Sequence, residues 1–330
     1  LPLSAMGATG CVGDASCTWV GDQAYAYLGH AVATGGDLDG DGIPDVVLAA
    51  TLYDGATGVD AGRITILSGR AIVDGAGGAL GLGAIATLEG QSAGASLGSA
   101  VAFVGDTDGD GIAELLVGAR GTESPDMPGQ GSAVLISGTA GSVDAPANLT
   151  AVARFTGERA WSRAGSVVAG PGDVDGDGLA DLLIAGEMRD AELGDDLQGP
   201  GRVSLMLGRT GGFAAETALV DADAAWTGQG ATDSAGNALT GGDLNNDGYA
   251  DVVIGAPYAV GSRGRVYILP GGSSPTGGTL ADAAQFLDGA NGGDAFGWSA
   301  VVGDLTGDGT ADLAVGAPLA DDPFGSVGAV

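Results

Sequence analysis

The chain has 330 residues and a formal net charge of -31, with 42 acidic and 11 basic residues. This acidity argues against nucleic acid and anionic membrane surfaces as direct partners. The 66 glycines and 45% hydrophobic residues are typical of many short apolar strands joined by tight turns, not of a disordered chain.

The N-terminal segment, residues 1–17, contains the only two cysteines, Cys11 and Cys17. This spacing favours a local disulfide in a secreted protein, with two unrelated thiols as the alternative. No run of eighteen apolar residues occurs, so we expect no membrane insertion of this chain. The chain begins at Leu1 without a methionine or a leader pattern, and we expect a processed or partial sequence.

From residue 18 onward a nine-residue acidic phrase recurs five times, at intervals of 61–70 residues. Oxygen-bearing side chains stand at positions 1, 3, 5 and 9, and glycine follows position 5. Hard cations such as Ca²⁺ take six to eight oxygen ligands, which a short loop supplies only if alternate residues point inward and the chain turns sharply. We therefore predict five cation-binding loops: Asp37–Asp45, Asp106–Glu114, Asp173–Asp181, Asp243–Asp251 and Asp304–Asp312.

The sequences on both sides of the five loops align with one another. Each loop follows a large apolar residue, a glycine and a Gly-x-x-Val/Leu segment, and precedes a short apolar run and an alternating strand. Four short strands per unit predict an all-β fold, a β-propeller of four-stranded blades. The five repeat units span about 18–86, 87–153, 154–224, 225–284 and 285–330.

The two ends of the repeat array bear on ring closure. The strand containing Trp19 is able to complete the last blade if each upstream strand closes the preceding one. The final strand, residues 326–330, stops short of its equivalents. We therefore expect further repeats beyond Val330.

Each loop also begins like an EF-hand, but an EF-hand requires a bidentate Glu at position 12 and two flanking helices. Position 12 is apolar in every copy, and each copy leads into a predicted strand: Leu48, Val117, Ile184, Ile254 and Val315. The EF-hand is therefore rejected.

The segment from Phe296-Gly297 through the loop to Gly316-Ala317-Pro318 resembles the FG-GAP repeat of the integrin alpha-subunit head and of many bacterial surface proteins. The resemblance covers residues 18–330. It implies a propeller, usually of seven blades, with up to five Ca²⁺ in hairpin loops on one face. Carried over by position, the implied side-chain ligands are Asp37, Asp39, Asp41 and Asp45; Asp106, Asp108, Asp110 and Glu114; Asp173, Asp175, Asp177 and Asp181; Asp243, Asn245, Asp247 and Asp251; and Asp304, Thr306, Asp308 and Asp312.

Three of the implied ligands depart from the acidic pattern. Asn245 and Thr306 each remove one charge, so we expect weaker binding in the fourth and fifth loops. Glu114 is one methylene longer than Asp. We expect Ca²⁺ to brace the hairpins; the alternative is that one site bridges to a ligand.

Signs of catalysis are poor. His30 is the only histidine and stands at a variable position of the repeat. Gly94–Gly98 matches G-x-S-x-G but precedes a strand, whereas a nucleophile elbow precedes a helix. We therefore predict that the protein is not an enzyme. We expect Trp161 and Trp298 to be exposed. We expect the aromatic residues that recur at one repeat position to pack in the core: Trp19, Phe155, Trp226 and Phe286.

The resemblance to the FG-GAP repeat implies an extracellular or cell-surface adhesion and recognition module, stabilised by calcium, that binds a protein or glycan ligand. A carbohydrate-binding lectin is one alternative, and it requires exposed tryptophans at equivalent positions between blades. A propeller domain of a polysaccharide-degrading enzyme is the other. We expect the insertions at residues 122–131 and 187–201 to decorate one face and to influence specificity.

Overall fold

The computed structural model describes residues 18–74, 78–79, 84–122, 124, 126–138, 150–188, 199–322, 325–326 and 328–330. The predicted Cys11–Cys17 disulfide and most of the insertion at 187–201 lie outside these residues.

The described residues form short strands with little helix. The helical segments are α1 (Gly69–Val73), α2 (Ala259–Ser262) and two 3₁₀ turns (Leu219–Asp221 and Leu280–Asp282). The strands are β1 (Trp19–Val20), β2 (Leu28–Thr34), β3 (Val46–Ala50), β4 (Arg63–Leu67), β5 (Gly78–Ala79), β6 (Ala84–Glu89), β7 (Leu97–Gly105), β8 (Glu114–Ala119), β9 (Ser132–Ser137), β10 (Thr150–Thr156), β11 (Val167–Ala169), β12 (Leu182–Gly186), β13 (Arg202–Met206), β14 (Glu216–Ala218), β15 (Ala224–Thr227), β16 (Ala238–Gly242), β17 (Asp251–Ala256), β18 (Arg265–Leu269), β19 (Gly278–Thr279), β20 (Gln285–Asp288), β21 (Ser299–Gly303), β22 (Asp312–Gly316), β23 (Asp321–Asp322) and β24 (Gly325–Ser326).

Among the described residues, four sheets each contain four antiparallel strands, in the orders β2-β3-β4-β6, β7-β8-β9-β10, β11-β12-β13-β15 and β16-β17-β18-β20. The second and third of these sheets also carry a fifth, parallel strand, β14 and β19 respectively. β21 pairs with β22 in a two-stranded sheet, as do β1 with β5 and β23 with β24. The predicted all-β fold of four-stranded units is therefore confirmed, and FG-GAP repeats imply its arrangement as a propeller. In the region predicted as the last strand, Ala329 forms an isolated bridge with Ala317.

Each sheet begins at a Gly-x-x-Val/Leu segment and ends on the strand that lies just before the next Gly-x-x-Val/Leu segment. Leu88, for example, precedes the second loop but pairs with Ile64 as part of the first sheet. The sheets are thus offset by one strand from the predicted repeat units, whose boundaries remain a prediction. Because the acidic loops join the first and second strands of equivalent sheets, they lie at the same end of every sheet.

The core lies between neighbouring sheets. Leu116 and Leu182, from the second strands of the second and third sheets, share one buried cluster with Phe155. Similar clusters join the first sheet to the second, the third to the fourth, and the fourth to β21 and β22. The second strands therefore carry fully apolar runs because both of their faces are covered.

Short parallel strands add a second link between sheets. After its third strand, the chain of the third unit forms β14, which pairs with the fourth strand of the second sheet, placing Thr217 opposite Phe155. Gly278 lies opposite Trp226 in the same way, and Gly78 lies opposite Trp19. β1 therefore lies beside the first sheet in the same way that β10 and β15, the fourth strands of the second and third sheets, lie beside the sheets that follow them. Its pairing with a last blade remains a prediction.

The recurring aromatic position is not uniformly buried. Phe155 is 0% exposed and Trp226 is 6% exposed, as core packing predicts, but Phe286 is 46% exposed. Trp298 is exposed, as predicted, and packs edge-on against Tyr258. Trp161, which was also predicted to be exposed, is half-buried. None of the helices among the described residues is long and apolar enough to cross a membrane.

Candidate metal centre

The first carboxylate of each loop is held by backbone amides. Asp37 accepts hydrogen bonds at Oδ1 from the amide of Gly40 (2.8 Å) and at Oδ2 from that of Gly42 (2.6 Å). Asp106, Asp173 and Asp304 repeat both contacts. The loop curls around this carboxylate because Gly40 and Gly42 have φ of 74° and 85°, a region that favours glycine. The glycine at position 4, which was not singled out from the sequence, therefore contributes to the turn of the loop.

The fourth loop replaces that glycine with Asn246, whose φ is 58°. Asparagine is among the few residues that enter this left-handed region at modest cost. The turn is retained, and the amide of Gly248 still donates to Asp243 (3.0 Å). The acidic loop therefore tolerates one substitution at its tightest point.

In the first, third and fourth loops, the carboxylate at position 9 is buried and joins two segments. Asp181, 0% exposed, accepts from the amide of Val174 (2.7 Å) at one oxygen and from that of Gly208 (2.7 Å) at the other. Asp45 and Asp251 make the equivalent pairs of contacts. Position 9 thus ties the acidic loop to the connection that follows the third strand. Sequence reasoning predicted position 9 as a metal ligand and did not foresee this second role.

Glu114 makes a variant of this arrangement. It is fully buried, and its Oε2 accepts from both the amide (2.7 Å) and the hydroxyl (2.8 Å) of Thr107. The longer side chain is therefore accommodated by a hydroxyl partner in the loop.

Carboxylate oxygens converge in the first three loops. In each, one oxygen from each of three acidic residues lies within 4.8 Å of the others, in the groups Asp37, Asp39 and Asp41; Asp106, Asp108 and Glu114; and Asp173, Asp175 and Asp181. Within the described part of the chain, no three acidic groups of the fourth or fifth loop converge this closely. Asn245 and Thr306 at position 3 leave these two loops with fewer carboxylates to bring together.

Burial makes these clusters costly to ionise. It raises the pKa of Asp45 to about 6, and those of Glu114 and Asp181 to about 7, against stabilising amide hydrogen bonds. Neighbouring carboxylates contribute in the same direction: Asp173 and Asp175 add to the rise in the pKa of Asp181. A divalent cation would compensate this repulsion, and the clustered hard oxygens suit Ca²⁺ chemically.

Among the described residues, no catalytic arrangement forms around His30 or Ser96. His30 is exposed on β2, although partial desolvation of its ring and the charge of Arg120 lower its pKa. Ser96 has φ of 52°, but equivalent residues share this conformation whatever their chemistry, with φ of 49–57°: Tyr27, Ser96, Arg163, Ser234 and Ala295. The G-x-S-x-G match is therefore a repeat turn that contains a serine by coincidence.

Three segments of the chain, residues 28–67, 235–269 and 296–330, match the family model of the FG-GAP repeat. They lie within the first, fourth and fifth predicted units. The chain therefore contains FG-GAP repeats in these three segments.

The chain is similar to several integrin alpha subunits. The chain is 38% identical over 169 residues to Integrin alpha-PS2 of Drosophila melanogaster, covering 46% of the chain and 11% of that protein. It is 28% identical over 243 residues to Integrin alpha-V of Gallus gallus (70% and 20%) and 32% identical over 233 residues to Integrin alpha pat-2 of Caenorhabditis elegans (64% and 17%). The chain spans a fifth or less of the length of these relatives. The predicted integrin alpha-like character is confirmed.

Proposed function

We propose that the protein is an extracellular, calcium-stabilised propeller that recognises a protein or glycan ligand in adhesion. The observation that carries this proposal is the convergence of carboxylates in repeated loops of a chain similar to integrin alpha subunits. A non-enzymatic role agrees with both. The alternative of a repeated sugar-binding platform is disfavoured, because Phe155 and Trp226 are buried at equivalent positions.

Calcium would be held by the acidic loops and would act as a structural brace. In the third loop the carboxylates of Asp173, Asp175 and Asp181 would supply the charge, and Asp181 would transmit the bound state to the Gly208 connection through its amide contact (2.7 Å). The ion supplies positive charge that relieves repulsion among buried carboxylates. Each bound ion would therefore stabilise the attachment of an acidic loop to the connection that follows the third strand of the same sheet.

The recognition surface we propose lies at the end of the sheets opposite the acidic loops. Tyr25 and Tyr27, just before the first strand of the first sheet, are 87% and 61% exposed. Tyr25 also has a positive φ, 65°, a conformation that is unfavourable for tyrosine, whereas the φ of Tyr27 is that of the repeat turn. Exposed tyrosines are enriched in recognition surfaces because they bury much area with little loss of rotamer freedom.

Thermal unfolding in millimolar Ca²⁺, in Mg²⁺ and in chelator tests the metal part of the proposal. Because a ligand that binds only the folded state stabilises it in proportion to the logarithm of its concentration over Kd, several sites give a rise in Tm on the order of tens of degrees with Ca²⁺. A triple variant, Asp37→Asn, Asp106→Asn and Asp173→Asn, should lose most of that rise. An unchanged Tm in chelator would contradict the calcium brace.

Cell attachment to the immobilised protein tests recognition. Attachment should require Ca²⁺ and fall in the double variant Tyr25→Ala, Tyr27→Ala, which should retain its calcium-dependent Tm. The matched control is Val220→Ala, a change at another exposed apolar residue (65%). Wild-type attachment by the tyrosine variant would contradict the proposed surface.

A further inference from the structure

Two equivalent junctions between sheets are built differently. At the junction of the second and third sheets, the ring of Phe213 packs edge-to-face on Phe155, with centroids 5.2 Å apart. The guanidinium of Arg209 lies 4.8 Å from the centre of the Phe213 ring and pairs with Asp223 at 2.7 Å. The connection after the third strand thus closes the junction with its own side chains.

At the junction of the third and fourth sheets these side chains are missing. The Gly271 amide donates to Asp251 as the Gly208 amide donates to Asp181, which fixes the alignment of the two connections. Gly272 then stands in place of Arg209, and Ala284 in place of Asp223. From Gly271 to Gly278 the connection is also two residues shorter than its counterpart, and its sequence from 272 to 277, Gly-Ser-Ser-Pro-Thr-Gly, contains no aromatic residue.

A cavity of about 340 Å³ opens in this place. Trp226, Val252 and Ala283 contribute to its lining. At the other junction, the counterparts of Trp226 and Val252 are Phe155 and Leu182, which belong to the buried cluster, and the counterpart of Ala283 is Ala222, which packs against that cluster as Phe213 does. The indole Nε1 of Trp226 donates to the carbonyl of Thr276 (3.1 Å), so the ring is fixed beside the opening. The cavity thus occupies the position that the phenyl group of Phe213 fills elsewhere in the same chain.

We propose that this cavity binds the aromatic ring of a small ligand, the group that Phe213 supplies at the neighbouring junction. Aromatic rings pack favourably edge-to-face, as Phe213 and Phe155 do. The polar residues Ser274 and Thr276 and the acidic residue Asp282 also line the cavity. In a chain of net charge -31, these groups favour a neutral or positively charged substituent over a carboxylate. The site does not depend on the adhesion role.

Phenethylamine, a single ring with an ammonium group, is the probe that tests this site. Saturation-transfer NMR of the full chain in Ca²⁺ should show saturable binding with a Kd on the order of millimolar, as expected for a ligand of this size. Phenylacetate, with the opposite charge, should bind several-fold more weakly. Absence of saturable phenethylamine binding up to roughly 20 mM, well above that Kd, would overturn the proposal, and equal binding of the two probes would overturn its charge preference.

A graft identifies the cavity as the site. Replacing Gly272–Gly277 by the sequence of residues 209–216 introduces the equivalents of Arg209 and Phe213, and the new ring should fill the cavity. Phenethylamine binding should fall at least about tenfold, the equivalent of 1.4 kcal/mol, while the calcium-dependent Tm is kept. The matched variant Phe213→Ala should create a second, comparable site. Unchanged binding by a folded graft would show that the probe binds elsewhere and would overturn the proposal.

Discussion

The third and fifth repeat units have the same sequence pattern, but equivalent residues differ in their exposure to solvent. In the third unit, Phe155 and Asp181 are both 0% exposed. In the fifth, Phe286 is 46% exposed and Asp312 is only half-buried. The difference follows from the neighbouring sheets. Other sheets pack on both sides of the third sheet, whereas β21 and β22 form strand pairs only with each other among the described residues. A repeat position therefore becomes core only when the adjacent sheet covers it.

Replacing the recurring aromatic residue by alanine should give the largest difference in stability between the third and fifth units. Phe155→Ala should lower the free energy of unfolding by about 3–5 kcal/mol, because it leaves a cavity in a closed core. Phe286→Ala should cost about 1 kcal/mol or less, since it loses mainly the contact with Arg265, 3.9 Å from the ring centre. Urea unfolding in saturating Ca²⁺ measures both. Equal losses would show that Phe286 is buried in solution.

The ninth position of the loop should show the next largest difference. Asp181→Asn should cost about 1–3 kcal/mol even in chelator, because one of its two amide donors would then face an NH₂ group. Asp312 receives the amides of Leu305 and Thr306 at a single oxygen (2.9 Å each), so Asp312→Asn retains both bonds. We expect its cost to be within about 0.5 kcal/mol. If Asp312→Asn were the more harmful variant in chelator, this account of position 9 would be wrong.

Exchanging the third ligand position should sharpen the contrast in calcium affinity. Asp175→Asn should weaken calcium binding to the third loop, and Thr306→Asp should strengthen binding to the fifth, each roughly tenfold, since ligand charge helps to set affinity. Competition with a chelating dye measures both, and Asn245→Asp is the matched gain-of-charge control. Unchanged affinities would mean that position 3 does not contact the ion.

The smallest expected effect concerns the ion pair that joins β20 to β18. Hydrogen bonds from Arg265 (2.8 Å from Nη2 to Oδ2) hold the pKa of Asp288 below its ordinary value. A lowered pKa stabilises the fold above the unfolded-state value and loses that contribution as the pH falls below about 4. Asp288→Asn should therefore cost about 0.2–1 kcal/mol at pH 7 and close to nothing at pH 3. A difference that grows on acidification would contradict this assignment.

The sequence was sufficient to predict the sheets because the Asp periodicity and the Gly-x-x-Val/Leu segments are local signals. It was not sufficient to predict burial, because Phe155 and Phe286 occupy the same repeat position and differ only in what packs against them. The metal loops were located by spacing. The second role of Asp181 was not foreseen, because Gly208 lies 27 residues away and carries no distinguishing side chain.

Contacts between sheets were the least predictable feature. β14 and β19 are two or three residues long, too short for any periodicity to identify them. The cavity beside Trp226 arises from a connection two residues shorter than its counterpart, and length alone does not indicate what fills the space. Such features depend on contacts between segments that are distant in the sequence, and these contacts leave no local sequence signal.

The parallel strand β14 also has a consequence for synthesis of the chain. Thr156 ends the last strand of the second sheet, but its parallel partner, Ala218, follows some sixty residues later. At about 5–20 residues per second on the ribosome, the strand edge beside Phe155 waits several seconds for that partner. During this interval nascent chains carry an unpaired apolar edge, the feature that promotes edge-to-edge aggregation. Slow emergence of each unit is therefore the period in which a chaperone would be of most use.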